Sequence, residues 1–267
     1  MDLSAAELVF IAAASVAAGL INAVAGGGTL VAFPALTIVG VPAVEANITT
    51  TIALTPGYFG GTMAQRVDLA GQRARVLRLV PGVVLGGLVG AALLAVTSES
   101  LFRHLVPWLL IAACGLLAAQ DRIRTAVVAR TRRRAEARGA APDAVHVRSE
   151  VPPGSIVAVA LAGVYGGYFG GALGIVLLAV LGVTLDDEMR RINALKQLLS
   201  LAANLAASIL LLFSGKVPWA AAAVMAVGSL VGGAAGGRVA RRLDARVFRA
   251  VVIAIGLVVA AVYLVKA

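Results

Sequence analysis

Apolar stretches about as long as a bilayer is thick recur from one end of this 267-residue chain to the other. That recurrence constrains the fold more than any single motif, because roughly 20 apolar residues are what a helix needs to span hydrocarbon. The uninterrupted stretches fall at 46–65, 77–96, 101–119, 191–213, 218–237 and 246–265. Two further runs, 6–40 and 154–183, are broken by glycine at the same relative place. The composition agrees: 60% of residues are hydrophobic and 13% charged, about half the charge of a soluble domain, and the mean hydropathy is +0.96. The fold class expected is an all-α polytopic membrane protein. Asp2 and Glu7 stand where a cleavable leader carries basic residues, so the first run is read as retained. Cys114 is the only cysteine, which excludes disulfides and cysteine-ligated metal sites within one chain.

A formal net charge of +10 can signal nucleic acid, but its placement argues otherwise. The arginines gather in three short loops beside spans, at 66–78, 120–150 and 238–249. Cytoplasmic loops are enriched in Lys and Arg, so all three are assigned to the cytoplasm. Parity then requires the broken run 154–183 to enter and leave on one side, as a pair of half-helices. The same logic for 6–40 places the N-terminus and Glu45 outside. Each half becomes one glycine-broken re-entrant helical hairpin plus three transmembrane helices, and the charge bias reverses between the halves; eight full crossings fit the lengths almost as well, at the cost of putting one basic loop outside. That reversal is what an inverted repeat requires.

The halves align at an offset of about 144 to 146 residues. Ala18-Gly19 matches Ala162-Gly163, Gly26-Gly27 matches Gly170-Gly171, and Asn47 matches Asn193. Gly86-Gly87 and Gly90 match Gly232-Gly233 and Gly236. The expected organisation is therefore a first transmembrane repeat at 1–119, a basic cytoplasmic linker at 120–152 and a second repeat at 153–267.

Enzymatic constellations are missing: there is no HExxH, GxSxG, P-loop or cysteine cluster. No enzyme, cofactor or metal is expected. No Asp or Glu falls inside any assigned span, so the carboxylates of a cation pathway are absent, and the one deep charge is Lys196. Asn193, Lys196, Gln197, Ser200 and Asn204 share one helix face, as do Asn47, Thr50, Thr51, Thr55 and Tyr58 in the first half. Two such stripes either line an anion path or hydrogen-bond one helix to another. Gly26-Gly27-Gly28, flanked by Asn22 and Thr29, and Gly170-Gly171 would free backbone N–H groups and present a positive helix end to an anion. Thr55-Pro56-Gly57 is read as a kink or hinge. The candidate substrate-binding set is Asn22, Gly26, Gly27, Gly28, Thr29, Asn47, Thr51, Gly170, Gly171, Asn193, Lys196, Gln197 and Asn204.

At these residues the chain resembles the sulfite exporter TauE/SafE family, also called the 4-toluene sulfonate uptake permeases. The resemblance is carried by Asn22 with Ala25-Gly26-Gly27-Gly28, Pro34, Asn47 and Pro56-Gly57 in the first half. In the second half it is carried by Tyr165-Gly166-Gly167-Tyr168-Phe169-Gly170, Gly174, Asn193-Ala194-Leu195-Lys196, Asn204, Gly215 with Trp219, and Gly228 with Gly232-Gly233. Gly171-Ala172-Leu173 departs from the pattern, standing where Ala-Gly and a small or polar residue are expected. The resemblance implies a multi-pass permease of the cell inner (plasma) membrane that exports small sulfur-containing anions such as sulfite, sulfonates or sulfoacetate. Alternating access around a site between the two broken helices is the expected mechanism, with an anion channel lined by the same residues as the alternative. The partners expected are the anion, the lipid bilayer, protons as the coupling ion and a second copy of the chain in a homodimer; no nucleic acid is expected.

Overall fold

The computed structural model describes residues 3–24, 27–137, 151–185, 187–239 and 245–266. Every element among them is helical. The order is α1 (Ala5–Val24), α2 (Thr29–Ile38), α3 (Ala43–Ala64), a short 3₁₀ turn (Arg66–Leu69), α4 (Arg73–Val96) and α5 (Glu99–Ala137). There follow α6 (Pro153–Tyr168), α7 (Leu173–Thr184), α8 (Met189–Leu212), α9 (Trp219–Val239) and α10 (Ala245–Lys266). Four of these, α1, α4, α5 and α8, are by themselves long and apolar enough to cross a membrane. The protein is polytopic and all-α.

Both glycine-broken runs are two helices with a non-helical joint between them. In the first, Gly28 packs back on α1 beside Ala18 and Asn22, so the chain reverses. In the second, Gly166 lies against Leu173 and the Tyr165 hydroxyl bonds the Gly171 carbonyl. At 1.5 Å per residue, the 10-residue α2 and 12-residue α7 reach only about 15 and 18 Å, well short of a 30 Å hydrocarbon layer. Neither is long enough to cross a membrane by itself.

Contacts fix where each hairpin opens. Ile156 of α6 lies beside Gly82 of α4, and Asp187, just after α7, forms an ion pair with Arg75. The second hairpin thus begins and ends beside the start of α4. At the opposite end, the Glu99 carboxylate accepts the N–H groups of Ala43 (2.7 Å) and Val44 (2.9 Å), capping α3 where α2 hands over to it. Lys216, just before α9, donates to the Ala95 carbonyl at 3.0 Å, and α1 runs parallel to α9 with Ser15 against Gly228. The first hairpin opens at this second end.

Each hairpin rests on a helix from the other half: α6 on α4, and α1 on α9. Glycine makes both seams. A Cβ on Gly86 would collide with the Ala160 carbonyl, and one on Gly232 with the Val16 carbonyl. Gly163 meets the Val83 carbonyl as Gly19 meets that of Ser229. These four positions are the ones that matched by sequence offset. Backbones this close gain dispersion contact that lipid cannot supply to larger side chains. α3 and α8 pack at the centre, and 14 of the 22 residues of α3 are buried. They run antiparallel, since Thr55 meets Ser208 (2.9 Å) while Gln65 meets Asn193 (2.7 Å). Pro56 does not break α3.

One element departs from expectation. The span read as 101–119 continues as a 39-residue helix to Ala137, about 58 Å long. Its continuation is rich in Ala and Arg and holds no glycine or proline, so good helix formers carry the helix past the length of a span. Residues 138–150 of the expected linker lie outside the described residues.

The ends are pinned by charge. Arg75 and Asp187 are both buried and paired; the Arg191 Nε reaches Asp187 at 3.0 Å, and Gln72 donates to the Arg191 carbonyl at 3.0 Å. Asp187→Ala leaves the Arg75 guanidinium buried without that carboxylate and is expected to destabilise by about 3–5 kcal/mol. Gly86→Ala, which wedges α4 from α6, is expected to cost about 1–3 kcal/mol. Gly60→Ala, which meets open space, should cost nothing. Thermal unfolding in detergent reads out all three.

Candidate functional site

The two joints meet. The Thr29 hydroxyl, first in α2, lies 3.9 Å from where a Cβ on Gly170 would sit. Beside it Gly171 packs against the Phe169 ring and Ala113 of α5, and Gly27 packs against Leu117 of the same helix. Gly26 lies outside the described residues. The second joint turns through left-handed backbone at Gly170 (φ +75°) and again at Ala172 (φ +60°, ψ +17°). Position 172 is where the sequence departed from its expected Ala-Gly, and the structure shows why glycine suits it: a side chain there costs about 1–2 kcal/mol.

The polar stripes divide between two uses. One set ties α3 to α8. The Thr62 hydroxyl faces the Gln197 carbonyl (3.5 Å), and the Ser208 hydroxyl donates to the Thr51 carbonyl (3.3 Å). These two bonds join positions that correspond under the 146-residue offset, each half donating once. Thr51 donates its own hydroxyl to the Asn47 carbonyl (2.9 Å), and Asn193 donates to Gln65 (2.7 Å). For Thr51, Thr55 and Asn193, interhelical and intrahelical bonding is what the geometry shows.

The other set is buried without partners. Asn22 Oδ1, Asn47 Oδ1, Thr50 Oγ1, Gln197 Nε2 and Ser200 Oγ are all inaccessible and unbonded. Buried polar groups are normally satisfied, so such a concentration calls for an explanation. Asn47 is half used, its amide donating to the Tyr168 carbonyl at 2.7 Å and so capping the last turn of α6. Asn22, at the end of α1, and Asn204 of α8 face the Tyr58 hydroxyl from two sides. Tyr58 and Asn204 are themselves matched positions, opposed across the α3–α8 seam. From the Arg75 end to the Glu99 end the groups follow as Lys196, Ser200, then Asn204 with Tyr58 and Asn22, then Thr50 and Asn47.

Lys196 sits at the Arg75 end of this series. It is only 8% exposed and has no carboxylate partner among the described residues. It forms the inner wall of a cavity of about 230 Å³ bounded by Gly174, Ile175 and Leu178 at the start of α7, Asn193 and Arg190 of α8, and Gln120 and Arg124 of α5. An ammonium, the first turn of a half-helix and two guanidinium groups therefore border one space. Such a space attracts anions and repels cations. Thr50, Tyr58 and Ser200 belong to stripes visible in the sequence. Gln120 and Arg124 lay in a segment whose composition reads as solvated linker, and only the continuation of α5 brings them here.

Comparison with known proteins bears on this geometry. Residues 11–263 match the sequence model of the family described as sulfite exporter TauE/SafE. The chain is 25% identical over 255 residues to "Probable membrane transporter protein YfcA" of Escherichia coli strain K12, covering 91% of this chain and 84% of that one. It is 26% identical over 274 residues to "Probable membrane transporter protein ORF9" of Sinorhizobium sp, covering 97% and 93%. A "Probable membrane transporter protein" of Haemophilus influenzae is 26% identical over 243 residues, covering 87% and 84%. No solved structure matches.

The joint itself is testable. Ala172→Gly is expected to hold or raise the melting temperature, because relief of left-handed strain offsets the added backbone entropy. Ala194→Gly, inside α8, should lower stability by about 1 kcal/mol. Differential scanning fluorimetry of the two variants in one detergent makes the comparison.

Proposed function

The chain belongs to the sulfite exporter TauE/SafE family, and on that footing we propose that it is a secondary transporter exporting small sulfur-containing oxyanions. The observation that carries this reading is Lys196, a buried ammonium with no carboxylate partner among the described residues, bordering a cavity that ends on the first turn of α7. An isolated buried charge is costly, and an arriving oxyanion neutralises it while accepting hydrogen bonds from the ammonium beside the positive end of α7. The unpartnered groups beyond it give the anion a succession of replacements for its water. The donors among them are the Thr50 and Ser200 hydroxyls and the Gln197 amide, while the Asn47 and Asn204 amide nitrogens already bond the Tyr168 and Ser200 carbonyls. The glycine joints, Gly27-Gly28 and Gly170-Gly171, let the backbone approach from both hairpins.

The mechanism we infer is alternating access between halves of an inverted repeat. It is supported by hairpins that open at opposite ends of the bundle, by matched glycine seams and by the antiparallel α3–α8 pair. Interhelical hydrogen bonds of the Thr62–Gln197 kind contribute only about 0.6 kcal/mol on average in membranes. A central seam held by such bonds can rearrange without a large barrier. The three basic loops support a cytoplasmic Arg75 end, and on that reading the Lys196 cavity faces the cell interior, as an exporter needs.

Transport of labelled sulfite and sulfonates in proteoliposomes tests this. The wild type should show saturable counterflow, and Lys196→Ala should lose at least 100-fold in rate. Its melting temperature should be equal or higher, since an uncompensated buried charge has gone. Undiminished transport by the variant refutes the role of Lys196, and single-channel currents from the wild type in a planar bilayer would replace the carrier by a channel.

A further inference from the structure

The cavity beside Lys196 has a rim that the transport reading does not use. Arg124 comes from the continuation of α5 beyond the length a bilayer needs, and Arg190 from the first turn of α8. The two rim arginines differ. Arg190 lies 3.2 Å from the Glu188 carboxylate and is partly neutralised. Arg124 is exposed and has no carboxylate partner among the described residues. Between rim and floor stand Asn193, half-buried, and Gln120, whose Oε1 is buried and unbonded. A single passage thus runs from an exposed guanidinium past two amides to a buried ammonium.

We propose that this passage is a capture site for a small oxyanion, in which Arg124 recruits and orients the anion before Lys196 takes it. The inference rests on the transporter reading for its purpose but not for its chemistry. A guanidinium offers paired N–H donors that fit two oxygens of a sulfonate, sulfite or sulfate group, and it stays charged at any physiological pH. Positive charge focused in a cleft raises the local concentration of anions and their association rate, an effect that salt screens. The same chemistry recognises the phosphate of a lipid headgroup, so the source of the oxyanion must be separated by experiment. Residues 120–124 are on this reading a working part of the transporter and not linker.

The test is sulfate binding to the purified full-length protein in neutral detergent, by calorimetry at low and at high ionic strength. At low salt Arg124→Gln should weaken sulfate binding about fivefold and Arg124→Lys less than threefold. Near 0.5 M salt the Arg124→Gln loss should shrink below twofold, because exposed charges are then largely screened. Lys196→Gln should abolish binding at both. Unchanged affinity of Arg124→Gln at low salt, or a loss that salt does not diminish, overturns the proposal. A parallel arm adds anionic or zwitterionic phospholipid to the same protein. If anionic lipid alone stabilises the wild type, Arg124→Gln cancels that effect and sulfate does not bind, the cavity holds a headgroup and the capture site is refuted. Sulfate binding that depends on Arg124 without any anion transport would sink the exporter reading and leave this site standing; transport with unaltered Arg124→Gln binding would do the reverse.

Discussion

In hydrocarbon a backbone amide has no water to fall back on, and the whole architecture follows from how this chain handles two places where helices stop. A helix that ends inside a membrane exposes N–H and C=O groups that must be met by protein. Here each broken pair is pressed against a glycine-lined helix from the opposite half, at Gly86 and Gly90 for one and Gly228 and Gly232 for the other. The second joint is further held by side chains: Asn47 on the Tyr168 carbonyl and Tyr165 on that of Gly171. Without those seams the joints would face lipid and the half-helices could not exist.

The same arrangement explains why the centre is polar and the periphery is not. Hydroxyls and amides on α3 and α8 are shielded from lipid by the α4–α6 and α1–α9 pairs, so they can afford to be there. Some are consumed in holding the two helices together, such as Thr62, Ser208 and Asn193. Others, such as the Thr50 and Ser200 hydroxyls, are buried without a partner. Lys196 marks where this interior becomes continuous with the basic end of the bundle.

Much of this was legible in residue order because membrane burial writes strong signals. The spans, the two interruptions and their equivalence follow from hydropathy and glycine spacing, and the helices observed at Ala43–Ala64, Arg73–Val96 and Met189–Leu212 lie within a few residues of those expected. Individual partners were not legible. Asn47 and Asn193 occupy matched positions, yet one caps a carbonyl of α6 and the other bonds Gln65. That difference depends on which helix end arrives opposite, not on spacing. Arg124 was hidden for another reason: an Ala/Arg-rich stretch has the composition of a solvated linker and equally of a stable helix, and only packing beside α7 decides between them.

Since each hairpin leans on a helix encoded in the other half, the order of synthesis matters. α1 leaves the ribosome first, and its supporting surface, α9, is about two hundred residues behind it. Until that surface arrives, the glycine seam of α1 has no partner, so a nascent first half must wait near the translocon or be shielded by some other means. Maturation is thereby tied to completion of the polypeptide, which gives a cell a natural point at which to recognise and clear truncated copies.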